Sequence, residues 1–333
     1  MKGARIPIAE GESARRRLLE AGALDSRFRI YERDGYLYFP LAKEVDGIES
    51  GDYLFEEREQ RESFEECLKR ILPPPLAGTF HTFDSIGDIA VFDCQEELVP
   101  YEREIAEAFL RTQKHFKTVL VKTGGLEGDF RTRPYRHLAG EDRTTTVHRE
   151  HGLSFALDLS KVFFSPRLAT ERRRVAAMVS PGETVVDMFC GIGPFSLCIC
   201  AHAQPEKVYA IDLNPDAIAY LQINIEKNGA MECVIPLCGD ARECIQELAS
   251  PDRIIMNLPL YAHEFLEDAI AASKSGTFIH YYTVVEEGKE EEQRTFIQEK
   301  ARMRGKEAQI HGMRHVKPYS PYTHMTVYDI RIA

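Results

Sequence analysis

Hydrophobic and polar positions divide the chain into three differently patterned stretches. In the first, Glu12 to Ala21 has helical spacing and ends at Gly22. FRIYE and YLYFPL then alternate apolar and polar residues around Asp34-Gly35, the pattern of a hairpin with a two-residue turn. A charged run from Phe55 to Ile71 predicts a helix that meets Pro73-Pro74-Pro75. Three prolines cannot continue a helix and form a stiff spacer, so a domain boundary is placed there. The second stretch mixes strand-like Ile89–Phe92 and Thr118–Lys122 with a helix around Glu102–Lys114 and a polar, basic segment. From Lys161 onward strands and helices alternate, which predicts a parallel α/β sheet. The expected domains are 1–72, 76–160 and 161–333.

Composition narrows the class. Over 333 residues, 44% hydrophobic and 29% charged positions exclude a wholly disordered chain. No run approaches the ~18 apolar residues of a membrane helix. MKGARIPIAEGESARRR lacks the apolar core of a secretory signal, so a cytoplasmic protein with no membrane partner is expected, and a monomer. The eight cysteines show no Cys-x-x-Cys spacing and are expected to be reduced, packing as small hydrophobes. A net charge of −11 argues against a polyanion partner, but the charge is unevenly spread. Residues 111–174 carry fourteen Lys/Arg against seven Asp/Glu, which fits either a localised phosphate contact or a solvated face.

The chemistry concentrates in PGETVVDMFCGIGPFSLCIC. A buried-type strand ending at Asp187 and Met188 leads through Gly191 and Gly193 into a helix. Glycines at such a turn let backbone approach a ligand. Nineteen residues after Gly193, Asp212 and Leu213 end a second strand, where the carboxylate can accept both hydroxyls of a ribose. Ser196 stands where a dinucleotide site needs a third glycine, so an adenosyl ligand without pyrophosphate fits better, and S-adenosyl-L-methionine is one. Asp240 and Ala241 follow a third strand at the place of adenine contacts. After a fourth strand, Asn257-Leu258-Pro259-Leu260 resembles the Asn-Pro-Pro-Tyr loop of nucleobase methyltransferases, with the aromatic displaced to Tyr261.

FHTFDSIGDIAVF, GDFRTRPYRHLAGEDRTTTVHREHG, LDLSKVFFSPRLATERRRV, DMFCGIGPFS, IMNLPLYAHEFL and VKPYSPYTHMTVYDIRI carry a resemblance that spans the chain. It is similar to the archaeal and eukaryal tRNA guanine-37 N1-methyltransferase family. The resemblance implies an α/β protein: a Rossmann-like S-adenosylmethionine-dependent methyltransferase domain, a middle α+β RNA-binding domain and a small N-terminal α+β domain that reads tRNA. N1 of guanine carries a proton at neutral pH, so methylation there needs a general base, and the charge that develops on O6 suits a guanidinium. Glu171 matches the family's proposed base, Arg131 the arginine against O6, and Asn257 completes the catalytic set. Arg172 and Phe163 match contacts near the methyl donor, beside Asp187, Gly191, Gly193, Asp212, Leu213, Asp240, Ala241, Asn257 and Pro259. Arg133, Arg136, Arg143, Arg167, Arg174 and Lys317 are the expected RNA contacts. Alternatives stand beside these roles. Glu171 can simply pair with Arg174 or Arg167, Arg131 and Arg133 can both hold phosphates, and Arg314–Tyr319 either touches RNA or closes a final hairpin. His148 and His151 are three apart, but no Cys or acid completes a metal site with them, and they are read as structural or RNA-facing. A related enzyme of the wybutosine pathway, acting on the same nucleoside, is the competing activity.

Overall fold

In the computed structural model, residues 1–58, 62–80, 82–125, 128 and 130–333 are described. His81 and Asp129 of the quoted motifs, Glu127 of the acid count and residues 59–61 of the expected first-stretch helix lie outside them. The chain falls into two units, Met1–Cys67 and Leu68–Ala333.

In the first unit, β1 (Lys2–Pro7), α1 (Gly11–Glu20), β2 (Tyr31–Arg33), β3 (Tyr36–Pro40) and β4 (Ser50–Asp52) form an antiparallel sheet in the order β2-β3-β1-β4. Ala4, Phe39 and Leu41 close on Leu18 and Ala23 to make its core. Asp34 and Gly35 both take positive φ, as the two-residue hairpin turn requires. The helix expected from Phe55 is shorter: α2 covers Phe64–Ile71, and Glu57 instead bridges to Phe28. A capping box sets the true start. Ser63 Oγ accepts from Glu66 N at 3.2 Å, and Glu66 Oε2 accepts from Ser63 N at 2.7 Å.

The second unit begins with β5 (Phe83–Ile86), β6 (Ile89–Phe92), α3 (Glu102–Thr112), β7 (Thr118–Lys122) and β8 (Tyr135–Gly140), whose strands pair in sequence order. β9 (Thr145–Glu150) and β10 (Leu153–Asp158) form a hairpin, and α4 (Ala169–Met178) follows. The remainder alternates: β11 (Thr184–Asp187), α5 (Pro194–Ala203), β12 (Lys207–Asp212), α6 (Pro215–Lys227), β13 (Val234–Cys238), α7 (Ala241–Gln246), β14 (Arg253–Met256), α8 (Ala262–Ala272), β15 (Phe278–Glu286), α9 (Glu290–Met303), β16 (Ala308–Ser320) and β17 (Thr323–Ile332). These strands make one sheet ordered β13-β12-β11-β14-β15-β17-β16, parallel except that β17 runs against both its neighbours. β14 is wholly buried, with Ile254, Ile255 and Met256 in the core and Arg253 paired with Glu183. Two asparagines one helical turn apart dock the β9–β10 hairpin on α6. Asn224 and Asn228 each exchange a pair of amide hydrogen bonds with the backbone of Ala156 and Ser154. Among the described residues no helix is long and apolar enough to cross a membrane.

The cysteines correct the expectation of eight free thiols. Cys200, near the end of α5, is joined to Cys233, just before β13, across 33 residues. Sequence spacing gave no sign of the pair because only the fold of β12 and α6 brings the two together. A loop of this size predicts that the bond contributes about 4 kcal/mol through the unfolded chain. Urea denaturation with and without reductant should show a loss of that order, and equal midpoints would deny the bond a role in stability.

Candidate functional site

The strand order reverses direction at β11, with β12 and β13 on one side and β14 and β15 on the other, so a crevice opens at the carboxyl ends of β11, β12 and β14. It is a cavity of about 1150 Å³. Gly191 shapes its first wall, and the turn holds Gly191 and Gly193 at φ of +54° and +87°. A Cβ on Gly193 would stand 2.3 Å from Leu221 Cδ1, so this glycine permits α5 to pack on α6. Gly191 lines the cavity, and its N–H donates to Asp212 Oδ2 at 2.7 Å. Asp212 Oδ1 accepts from Asn214 N at 2.9 Å. Each oxygen therefore uses one acceptor site on the turn and retains another. Burial pushes the Asp212 carboxyl up, and these two N–H donors oppose it.

The opposite wall is mostly apolar, with Met188, Phe189, Leu213, Ala241 and Leu258. Asp240 caps α7, accepting from Arg242 N at 2.8 Å, and also lines the cavity. Asn257 and Pro259 follow β14. The Asn257 Oδ1 is buried and has no partner among the described residues. Three separate segments build the mouth: Phe130, Arg131 and Arg133 before β8, Tyr261 after the Asn-Leu-Pro-Leu turn, and Lys317 with Tyr319 on β16. Arg131 holds φ at +52°, a costly conformation for a residue with a side chain, and its guanidinium lies 5.8 Å from the Tyr261 ring centroid. Burial pulls both Arg131 and Lys317 below their ordinary pKa values. One end of the cavity thus offers carboxylates and apolar surface to a nucleoside. The other offers cations and aromatic rings to a planar, anionic group.

Residues 146–309 match the TRM5/TYW2 methyltransferase domain, 64–144 the TYW2 N-terminal domain and 3–49 the tRNA methyltransferase 5 N-terminal domain. The tRNA (guanine(37)-N(1))-methyltransferase Trm5b of Pyrococcus abyssi is 42% identical over 99% of this chain and 98% of its own. The crystal structure of that organism's Trm5b superposes with a TM-score of 0.76 over 100% of this chain and 99% of that one. The chain belongs to the TRM5/TYW2 methyltransferase family. A complex of aTrm5 with tRNALeu gives a TM-score of 0.78 at 32% identity, covering both chains fully. A Methanocaldococcus jannaschii TYW2 solved with AdoMet matches 75% of this chain and 99% of that one at 27% identity, with a TM-score of 0.58.

In this family member the cavity gathers Phe163, Gly191, Asp212, Leu213, Asp240, Ala241, Asn257, Pro259, Arg131, Arg133 and Lys317 of the expected residues. Others lie elsewhere. Asp187 is wholly buried below the turn, where its Oδ2 accepts from Ser196 Oγ at 2.8 Å. Burial, with the nearby Asp212 charge, pushes it up to about 7 against the Ser196 bond, so it braces the loop and does not line the cavity. Arg172 is also interior. It donates to Glu150 Oε2 and to the Ser165 carbonyl, both at 2.6 Å, and shapes the wall from behind. Gly193 packs helices, as above. Three expected RNA contacts have partners within the protein, although the Arg136 side chain stays 51% exposed. Arg136 pairs with Glu102, Arg143 with Asp88 at 2.7 Å, and Arg174 with Asp329 at 2.7 Å and Glu171. Arg167 holds Asp84 at 2.8 Å but stays half exposed. His148 and His151 are structural: His148 Nδ1 accepts from Gly87 N, and His151 Nε2 meets the Ala169 carbonyl.

Glu171 is 1% exposed and does not line the cavity; Leu168, one turn earlier in the chain, does. Its Oε1 accepts from Arg174 Nε and Nη2 and from Tyr282 OH at 2.8 Å, while Oε2 accepts from Arg314. The sequence gave no sign of Tyr282 as a partner. Phe130, Glu264 and Met325 also line the cavity without having been given a role, although all three lie in the quoted motifs, and Tyr319 ends the Arg314–Tyr319 run.

The residues fit an adenosyl cofactor: Asp212 suits the ribose, and the unpartnered Asn257 Oδ1 needs a donor. Asp212→Ala should weaken S-adenosylmethionine at least tenfold, because two charge-assisted hydrogen bonds exceed the ~1.4 kcal/mol that tenfold requires. Unchanged affinity by calorimetry would remove Asp212 from the site.

Proposed function

We propose that this chain transfers the methyl group of S-adenosylmethionine to N1 of guanosine 37 in tRNA, giving 1-methylguanosine. One observation carries the reading: a single cavity joins a nucleoside cradle at Asp212 and Asp240 to a cationic, aromatic mouth at Arg131, Arg133, Lys317 and Tyr261. The cofactor supplies an electrophilic methyl group on a sulfonium. The chain's residues do the rest. Asp212 holds the ribose, and Asn257 Oδ1 accepts a hydrogen bond from the base or the donor. Arg131 stabilises the negative charge that grows on O6 as N1 loses its proton, in a site where burial strengthens the interaction. Glu171 takes that proton. Its support is its place behind Leu168 and its match to the family's base, and it must reach the cavity to act.

Residues 1–72 are taken as a tRNA-reading domain, 76–160 as a middle RNA-binding domain and 161–333 as the catalytic domain of a cytoplasmic monomer. The test is nucleoside analysis of unmodified tRNA incubated with the protein and labelled methyl donor. Label in 1-methylguanosine at position 37 is expected. Label that appears only when the tRNA carries a wybutosine precursor would replace this reading with the wybutosine-pathway one.

A further inference from the structure

Glu171 has two carboxylate oxygens, and their surroundings differ. Oε1 accepts three hydrogen bonds, two from Arg174 on its own helix and one from Tyr282 on β15, so it has no room for another proton donor. Asp329 on β17 and His280 on β15 stand behind Arg174 and hold it in place. Among the described residues, Oε2 accepts only from Arg314 on β16. The partners also differ in exposure. Tyr282 is wholly buried and Arg174 is mostly so, whereas the Arg314 side chain is 46% exposed.

β16 carries this partner by an irregularity. Arg314 pairs with Val327 and Lys317 with Met325, and an extra residue is accommodated between His315 and Lys317. Three residues apart in sequence, Arg314 and Lys317 therefore face the same side, because their partners on β17 are two apart. Lys317, Tyr319 and Met325 line the cavity. The strand that caps Glu171 is thus the strand that forms part of the mouth.

We propose that Arg314 gates the base, capping Glu171 Oε2 in the free enzyme and leaving it when tRNA engages Lys317 and Tyr319. Oε2 is then the oxygen that accepts the N1 proton, while Arg174 and Tyr282 keep the carboxylate aimed. Arg314 is a positioning residue, and the inference rests on the assignment of Glu171 as base.

The test compares two pH profiles of single-turnover methylation by the full chain with tRNA and S-adenosylmethionine. The rate at limiting tRNA reports the free enzyme, and the rate at saturating tRNA reports the complex. An adjacent guanidinium in general favours the ionised form of a carboxylate. If the gate operates, the wild-type acid limb at limiting tRNA should therefore lie measurably below the limb at saturation. In Arg314→Gln the two limbs should coincide at the saturated position, and Arg314→Lys should restore the separation. Coincident limbs in the wild type overturn the gate, and that comparison needs no variant to fold. Separation that persists in Arg314→Gln overturns it as well. An acid limb that survives in Glu171→Gln means instead that the base is another group, which fails the underlying reading and the gate with it.

Discussion

Glu171→Gln should lower the single-turnover methylation rate by roughly 10²- to 10⁴-fold with tRNA and cofactor affinity little changed. Glutamine keeps the shape and can still accept at Oε1 from Arg174 and Tyr282, but it cannot take a proton from N1. The substitution also removes a negative charge from between two arginines. Asp329 still neutralises Arg174, and Arg314 is half exposed, so the folded state should survive. Thermal denaturation and cofactor binding of the variant separate a chemical defect from an unfolded one. A purely structural ion pair predicts nearly normal chemistry in whatever fraction remains folded. A variant that methylates at the wild-type rate with an unaltered pH profile would remove Glu171 from the mechanism. Glu264, a carboxylate that does line the cavity, would be the next group to examine.

Asp329→Asn should cost about 3–5 kcal/mol of stability at neutral pH, because it breaks a buried charge network. Asp329 accepts from His280 Nδ1 at 2.5 Å and from Arg174 at 2.7 Å, and His280 Nε2 accepts in turn from Arg253 at 2.8 Å. Arg253 continues the network to Glu183 at 2.7 Å. Accepting from an arginine requires neutral His280, and burial indeed holds this imidazole below its ordinary value. Burial works against the Asp329 charge, but hydrogen bonds from His280 and Arg174 prevail and hold the carboxyl below the usual range. The sign follows. A carboxyl depressed in the folded state stabilises above its unfolded value, about 3.9, and that contribution is lost as pH falls through the folded value. The stability gap between wild type and variant should be fully present at pH 7 and shrink below pH 4. A gap that stays constant across that range, measured by urea denaturation, would show that the charge of Asp329 is not what stabilises the sheet.

The same residues show how far sequence reasoning reaches. The Gly191 turn, Asp212, Asp240 and Asn257 were legible because each sits at the end of a strand with a marked pattern, at a fixed interval from the next. Local geometry alone places them at one edge of a parallel sheet. The Asp34-Gly35 hairpin and the end of α1 before Gly22 were legible for the same reason. The helix expected from Phe55 failed because charge density was read as helical spacing and the Ser63–Glu66 capping box was overlooked.

The roles of charged side chains were less accessible. Arg136, Arg143 and Arg174 read as RNA contacts from a locally basic segment, yet their partners Glu102, Asp88 and Asp329 lie 34, 55 and 155 residues away. A count of charges along the chain cannot see a carboxylate brought from that distance. By itself the sequence determined the cofactor turn, the order of the elements and the family resemblance, since these depend on short intervals and on hydrophobic period. Only the tertiary structure decided which arginines are already paired, that Cys200 meets Cys233, and that Glu171 is covered by Tyr282 and Arg314. Those outcomes depend on the pairing of β15, β16 and β17, on the bulge that sets Arg314 and Lys317 on one face and on how far each carboxylate is removed from water.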